Sequence, residues 1–214
     1  MTVKRFPEGL KVGVTGKPTC FWGAGDREYQ AYHDDEWGRP VDNDIRLFEK
    51  LCLEGFQAGL SWLTILRKRE NFRKAFKGFD FKKVARFGEK DVERLLRDAG
   101  IIRHRGKIEA TINNAQRAVE MVKEEGSIAA FIWRYEPDLK SRPKKLTKKA
   151  LMKLTQAPES AALSKELKKR GWCFVGPTTM YALMQDMGIV NDHIDGCHVR
   201  DVVERERKKF KRPV

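Results

Sequence analysis

The sequence lacks any long hydrophobic run. No segment approaches the roughly 20 apolar residues that a membrane-spanning helix needs, and the first residues, Met-Thr-Val-Lys-Arg-Phe-Pro, contain no apolar signal-peptide core. The 214 residues include only 4 cysteines, too few and too scattered for the disulfide framework of a secreted protein. We therefore expect a cytoplasmic protein whose cysteines are buried free thiols or metal ligands.

Acidic residues are in deficit. Asp and Glu number 30 against 44 Lys and Arg, which gives a formal net charge of +14. This surplus favours a polyanionic partner, with nucleic acid ahead of an anionic membrane surface. Each basic run alone is typical of a solvated face, but together the runs favour nucleic acid. They lie at 142–145, 148–149, 168–170 and 205–212.

Alternating strand patterns are absent between residues 26 and 118, where apolar residues recur at helical spacing. The expected fold class is all-α, in one large domain or two closely packed halves. Residues 1–19 are basic, rich in Gly and Pro and without periodicity, as in a flexible arm. Residues 136–160 are expected to form an exposed excursion and residues 198–214 a basic tail. Helices are expected from Asp44 onward, at 61–76, 81–87 and 91–99, after Gly106, and at 160–170 and 178–187.

Glu54 is the most informative single residue. Leu47, Leu51 and Ala58 recur at spacings of four and seven residues, and Glu54 lies on the same apolar stripe. A carboxylate there is unfavourable unless it finds a partner. Among aromatic rings it can bind a flat cationic ring and assist that ring as it leaves a sugar. The alternative is a partly solvated glutamate paired with an arginine. The nearby rings are Trp22, Tyr29, Tyr32, Trp37 and Trp62.

A second candidate site lies between two predicted helices. The amphipathic segment 91–99 ends at Gly100, which is expected to cap it in a left-handed conformation. The turn that follows presents backbone N–H groups at a helix N-terminus, where the helix dipole favours an anion such as phosphate. Arg103, Arg105 and Lys107 add full positive charges. The alternative is an ordinary turn between helices with basic surface residues.

Two cysteines and two histidines are candidate metal ligands. Thiolate and imidazole are the preferred donors of zinc, and a closed set of four is structural rather than catalytic. One turn of chain satisfies the spacing of His193 and Cys197, whereas Cys20 and His33 lie too far apart for a zinc finger. A metal joining the two ends would hold termini that otherwise fray; four unrelated residues are the alternative. The remaining cysteines have apolar neighbours and are expected in the core: Cys52 and Cys173.

Several blocks of the sequence match one family in order. They are 20–22, 32–38, 52–62, 98–108, 163–171, 174–176 and 190–193. These blocks resemble the DNA-3-methyladenine glycosylase I family, and those holding Glu54 and the metal-ligand candidates are specific to it. The resemblance runs from about Cys20 to Cys197. Residues 1–19 and 198–214 lie outside it, and 136–160 matches weakly.

The resemblance implies a helix-hairpin-helix DNA glycosylase that excises 3-methyladenine from double-stranded DNA by hydrolysing the N-glycosidic bond; we expect a monomer. It implies that Glu54 recognises the base and that the five rings form its pocket. It also implies one structural Zn²⁺ per chain, joining the N- and C-terminal segments through Cys20, His33, His193 and Cys197. The implied DNA contacts are a phosphate clamp at Arg103, His104, Arg105, Gly106 and Lys107, and a segment entering the base stack at Gly59 and Leu60.

Three features bear on the chemistry. Phe56 stands where some family members carry Gln, so a polar contact near the pocket is expected to be absent or replaced. No Asp occurs between Asp98 and Asp138, although many helix-hairpin-helix glycosylases place an activating Asp in this region. A base that is already activated as a leaving group by its positive charge does not need such an Asp. Lys107 lies near the Schiff-base lysine of lyase-type relatives, but without that Asp it is interpreted as a phosphate contact.

Two other functions remain open at this point. One is a glycosylase with a different substrate or with lyase activity, which would form a covalent adduct with DNA. The other is a non-catalytic DNA-binding module. An intact Glu54 and a full set of rings argue against the second, because binding phosphates requires neither.

Overall fold

The computed structural model describes residues 6–214 and folds them mainly into α-helices. The predicted helices are present with ends within a few residues of those expected, so the mostly helical fold class is confirmed. Among these residues, no helix is both long and apolar enough to span a membrane. The helices are α1 (Arg27–Asp35), α2 (Asp44–Gln57), α3 (Trp62–Ala75), α4 (Phe81–Val84), α5 (Glu89–Arg97), α6 (Arg105–Glu125), α7 (Ile128–Trp133), α8 (Lys148–Leu151), α9 (Pro158–Lys169), α10 (Pro177–Asp186) and α11 (Arg200–Lys209).

A small antiparallel sheet precedes the helices. β1 (Leu10–Val12) pairs with β2 (Pro18–Cys20), with Leu10 opposite Cys20. Residues 1–19 are therefore not a flexible arm throughout, although residues 1–5 lie outside the described part of the chain. The strands are too short for an alternating pattern to show in the sequence. Their pairing buries Leu10 against the C-terminal segment, next to Cys197.

Helix α2 lies at the centre of the core. Every residue from Leu47 to Phe56 is buried, because α3, α6, α7 and α10 pack around this helix. Asn43 caps its start, where the side-chain oxygen accepts a hydrogen bond from the Arg46 N–H at 3.0 Å. A helix enclosed in this way places Glu54 in the interior rather than at a solvated end.

Helices α5 and α6 pack together and are joined by residues 98–104. Gly100 does not take the left-handed conformation expected of it. Instead its N–H donates to the Asp98 carboxylate at 2.8 Å, so the Asp98 side chain forms the turn. His104 caps α6, since its Nδ1 accepts a hydrogen bond from the Lys107 N–H at 3.2 Å. The turn thus leads directly into a helix N-terminus.

Residues 136–160 are folded onto the body at several points rather than fully exposed. Arg142 pairs with Asp192 and donates to the Tyr181 hydroxyl at 2.7 Å, and Leu146 is buried. Composition alone suggested an excursion because the segment is rich in Pro and Lys. Its anchoring depends on partners from the C-terminal third of the chain.

The basic C-terminal segment forms α11 and packs on the same body. Arg207 is buried and donates hydrogen bonds to the Gly188 carbonyl and to Glu136. The ring of Phe210 lies 4.7 Å from that of Trp133. Part of the positive charge of the tail is therefore used in internal contacts.

Candidate functional site

A cavity of about 350 Å³ opens between α1, α2, α10 and the residues that follow α8. This volume lies in the range of pockets that hold small planar ligands. Leu151, Met152 and Thr155 form part of its wall, so the end of α8 and the residues that follow it cover one side. The five predicted rings and Glu54 all line it: Trp22, Tyr29, Tyr32, Trp37, Glu54 and Trp62.

The rings pack against one another. The ring of Trp22 lies 4.8 Å from that of Trp37 and 5.2 Å from that of Tyr29, and the ring of Tyr32 lies 5.4 Å from that of Trp62. Tyr29 and Tyr32 are three residues apart on α1 and so share one helix face. Because aromatic faces attract cations, this wall suits a flat, positively charged ring.

Glu54 is only 6% exposed and extends from α2 into this aromatic wall. Its partner is not an arginine but Lys50, one helical turn earlier, whose Nζ lies 3.3 Å from Glu54 Oε1. Burial raises the pKa of Glu54 well above its usual range, and the negative charge of Asp186 raises it further, while the Lys50 ammonium lowers it. Its ionisation therefore depends on a cation and an anion in contact with it.

Lys50 and Asp186 were not predicted as site residues. The Lys50 Nζ lies 2.7 Å from Asp186 Oδ2 and donates to the Tyr32 hydroxyl at 2.8 Å, and the Tyr32 hydroxyl donates to Asp186. Lys50 and Glu54 are four residues apart, which places them on one helix face. Their contact could therefore have been predicted from the sequence. Asp186 lies on a distant helix, and no local signal points to it.

Phe56, where a polar contact near the pocket was expected to be absent or replaced, lies at the C-terminal end of α2. Phe56 does not line the cavity but packs in the core, with its ring 4.6 Å from that of Phe72. The polar group at this end of α2 is its neighbour Gln57. The indole N–H of Trp62 is buried and finds no hydrogen-bond acceptor among the described residues.

Three of the four predicted metal ligands form a buried cluster. The donor atoms of Cys20, His33 and Cys197 all lie within 4.8 Å of one another. His193 lies beside them, with its ring centroid 4.9 Å from that of His33. It lies outside the cluster, and its Nε2 contacts the carbonyl oxygen of His33 at 3.5 Å. The two remaining cysteines differ from each other: Cys52 is buried as expected, but Cys173 is exposed.

The surroundings of this cluster suit zinc. Asp34 lies 2.7 Å from His33 Nδ1, and the Nε2 of the same ring lies 3.6 Å from Cys197 Sγ. Asn191 lies 3.0 Å from His193 Nδ1, so a metal at His193 would replace only the 3.5 Å contact of its Nε2 with the His33 carbonyl. The hydrogen bond between the thiols lowers the pKa of Cys197 to about 4 and raises that of Cys20. Burial lowers the pKa of His193, which keeps its imidazole neutral. A thiolate and neutral imidazoles are the forms that bind zinc.

The predicted phosphate clamp is exposed at its tip but not throughout. Arg103 and His104 are exposed. Arg105 is also exposed, but its guanidinium pairs with Glu89, Glu93 and Glu109. Only the first two side chains are therefore open to a phosphate.

Lys107 corrects the prediction of a phosphate contact. It is 8% exposed, and its Nζ donates to the carbonyl oxygens of Phe56 at 2.9 Å and Ala58 at 2.6 Å. These carbonyls lie at the C-terminal end of α2, where helices leave acceptors unpaired. Lys107 thus ties the α6 N-terminus to the loop that carries Gly59 and Leu60, both exposed at its tip.

A helical protein with a ring-lined cavity, a buried carboxylate and a basic turn between two helices has the features of a DNA glycosylase. The chain belongs to the methyladenine glycosylase family, whose sequence model matches residues 22–201. That assignment agrees with the family resemblance of the sequence blocks.

Individual relatives cover most of the chain. It is 50% identical over 179 residues to DNA-3-methyladenine glycosylase 1 of Escherichia coli (strain K12), spanning 83% of this chain and 94% of that protein. A crystal structure of 3-methyladenine DNA glycosylase I matches with a TM-score of 0.77 at 48% identity, over 84% of this chain and 98% of the other. A Tyr-to-Phe variant of such an enzyme, in complex with 3-methyladenine, matches with a TM-score of 0.76 at 36% identity, over 83% and 95%.

Proposed function

We propose that this protein is a DNA repair glycosylase that turns 3-methyladenine out of alkylated duplex DNA and hydrolyses its N-glycosidic bond, leaving an abasic site. Membership of the methyladenine glycosylase family supports the reaction class. The observation that supports 3-methyladenine as the substrate is the position of Glu54, a buried carboxylate in a cavity walled by five aromatic rings. Its relative with 3-methyladenine bound has the same overall fold.

The substrate fits the chemistry of this wall. 3-Methyladenine linked to deoxyribose carries a positive charge in its ring. Stacking a cationic ring on Trp or Tyr contributes about 1–2 kcal/mol when water is excluded, and a carboxylate accepts stronger hydrogen bonds from a charged donor than from a neutral one. Neutral adenine gains less from both contacts. The pocket is therefore selective for the alkylated base through charge rather than through shape alone.

The same charge lowers the barrier to bond breaking. As the bond between the sugar C1′ and the base nitrogen breaks, its electron pair moves to the base and cancels the ring charge. Water forms the new bond at C1′ and releases a proton. Such a leaving group needs little acid–base assistance, which is consistent with the lack of Asp between Asp98 and Asp138. Lys107 does not serve as a Schiff-base nucleophile, since its Nζ is held by two carbonyls.

Duplex DNA is bound through α5, the turn at 98–104 and α6, which together form the helix-hairpin-helix motif. Arg103, His104 and the free N–H groups at the start of α6 contact a phosphate beside the lesion. Gly59 and Leu60 enter the base stack where the lesion leaves it, since an exposed leucine can act as an apolar wedge. The contact between Lys107 and Ala58 holds these two elements at a fixed distance.

Replacing Arg103 and Lys107 one at a time distinguishes a residue that contacts phosphate from one that holds the fold. Arg103→Ala removes one phosphate contact, so the slope of log affinity against log salt falls by about one, with little change in melting temperature. Lys107→Met leaves two carbonyls without a donor, which destabilises the fold by about 1–3 kcal/mol and preserves the salt slope. Fluorescence anisotropy with an abasic duplex and thermal melting measure both. A reduced salt slope in Lys107→Met would show instead that Lys107 contacts a phosphate.

A structural zinc ion held by Cys20, His33, His193 and Cys197 completes the proposal. It is supported by the buried cluster of three donors and by the oriented imidazole of His193. The ion joins β2 and α1 to the residues before α11, and it takes no part in the chemistry of the base.

The test of the proposed function is release of free bases from methylated duplex DNA, resolved by chromatography. We expect 3-methyladenine to be released with little 7-methylguanine, because the relatives that this chain resembles are 3-methyladenine glycosylases. A protein that binds the duplex but releases neither base would be a binding module instead. Trapping of a covalent DNA adduct by borohydride would indicate lyase activity.

A further inference from the structure

A buried ammonium lies between the two carboxylates of the cavity wall. Lys50 is 5% exposed, and its Nζ contacts Asp186 at 2.7 Å, Glu54 at 3.3 Å and the Tyr32 hydroxyl at 2.8 Å. The same atom lies 3.0 Å from the ring centre of Trp62. All four partners line the cavity. The lysine therefore occupies the type of surroundings, a carboxylate beside an aromatic face, that the pocket offers to a cationic base.

We propose that Lys50 and Asp186 are positioning residues for Glu54, and that the ammonium held between the two carboxylates determines how readily Glu54 receives a cationic base. This inference rests on the proposed function, because it assigns how that base is received. It adds two residues from separate helices to a site whose recognition group is otherwise Glu54 alone.

The geometry argues for more than a bridge between helices. A Lys50–Asp186 pair alone would join α2 to α10, yet the ammonium is also within reach of Glu54, and buried ion pairs are commonly replaced by apolar residues without loss of stability. Tyr29 and Tyr32 face Glu54 from α1, Trp62 from α3, Lys50 from its own helix and Asp186 from α10. Among these groups Lys50 is the cation and Asp186 the second carboxylate.

The two partners act on Glu54 in opposite directions. Burial raises the pKa of Glu54, the charge of Asp186 raises it further, and Lys50 lowers it. Without Lys50 the two carboxyl groups would face each other and Glu54 would hold its proton to higher pH. Without Asp186 the ammonium would pair with Glu54 alone and Glu54 would ionise at lower pH. A carboxylate that must be ionised to receive a cation gives activity above its pKa, which is lost as pH falls.

Opposite shifts of the pH profile are the expected result. The acid limb of kcat/KM for 3-methyladenine release reports the ionisation of the free enzyme. In Lys50→Met we expect this limb to move up by about one pH unit or more, and in Asp186→Asn to move down. The double variant Lys50→Met/Asp186→Asn should return close to wild type. Because it removes the buried pair as a whole, it is also the variant best able to keep its fold.

A direct titration separates this inference from the proposed function. The carbon-13 resonance of the Glu54 carboxyl, assigned by its loss in Glu54→Gln, is followed between about pH 4 and pH 10 in wild type and in each variant. It requires no activity. If wild type releases no base, the proposed function fails, and opposite shifts of this resonance still support the action of the pair on Glu54.

The control is the Arg170–Glu125 pair, whose 2.5 Å contact lies outside the cavity. Arg170→Met should leave both the pH profile and the Glu54 resonance unchanged. If Lys50→Met and Asp186→Asn lower activity equally at every pH and leave the Glu54 titration unmoved, the pair is only a bridge between helices and the inference is overturned.

Discussion

Glu54→Gln is expected to lose most excision of 3-methyladenine, on the order of 100-fold in kcat/KM, while keeping its fold. Glutamine has the same shape but carries no charge, and its amide N–H₂ donates where the carboxylate accepts. The contact with a cationic base is therefore weakened without opening a void in the core. Single-turnover release of base from methylated duplex, measured at saturating and limiting enzyme, gives the rate and the affinity separately.

Whether the loss of excision lies in the affinity or in the rate determines the role of Glu54. A weaker affinity at an unchanged rate would identify a recognition group, whereas a slower step at saturation would identify stabilisation of the charge that develops on the sugar. Glu49→Gln is the matched control, because Glu49 is equally buried on the same helix but pairs with Arg46 and Arg73. Normal excision by Glu54→Gln would remove Glu54 from the mechanism.

As pH rises, the stability of the wild-type protein should fall while its activity increases. Burial raises the pKa of Glu54, so the folded state holds a proton that the unfolded chain releases above the ordinary glutamate pKa. Stability at this site is therefore present at low pH and is lost as pH rises above that value. Glutamine cannot ionise, so Glu54→Gln should be at least as stable as wild type at alkaline pH. A functional carboxylate kept at the expense of stability is a common trade-off.

The site residues that could be predicted from the sequence are those whose residue type is unusual for their position or is concentrated in one segment. Glu54 was found because a carboxylate on an apolar stripe is conspicuous, and the rings because tryptophan and tyrosine are concentrated near it. The Cys and His residues were found because few residue types bind zinc. The family resemblance added their roles, and the cavity brings Glu54 and the rings together.

What escaped prediction depends on tertiary contacts. Lys50 resembles any lysine on a helix until α10 brings Asp186 to it. Lys107 was assigned to DNA because it follows a basic turn, but the C-terminal end of α2 supplies two carbonyls that accept hydrogen bonds from its ammonium. The hairpin of β1 and β2 was missed because its strands of 3 residues are too short to show a period. For Lys50 and Lys107 the deciding partner lies far along the chain, whereas the strands of the hairpin are close together in sequence and are missed only because they are short.

If the proposed zinc ion is bound, Cys197→Ser is expected to release it and to lower the melting temperature by roughly 10 °C. A hydroxyl is a poor zinc ligand beside a thiolate, and the loss of the ion would free β2 and α1 from the segment before α11. Metal content by plasma emission spectrometry should fall from one zinc per chain to near zero. Cys173→Ser is the control, since Cys173 is exposed and does not belong to the cluster.

Loss of the metal should also reach the base pocket. His33 directly follows Tyr32 on α1, and its ring lies 5.0 Å from that of Trp22, so two walls of the cavity are attached to one ligand. We expect Cys197→Ser to bind free 3-methyladenine less tightly at a temperature where it is still folded, measured by quenching of tryptophan fluorescence. A wild-type protein without metal, with the same melting temperature as Cys197→Ser, would refute the zinc site. A variant that loses zinc and stability but binds the base normally would confine the metal to holding the chain ends.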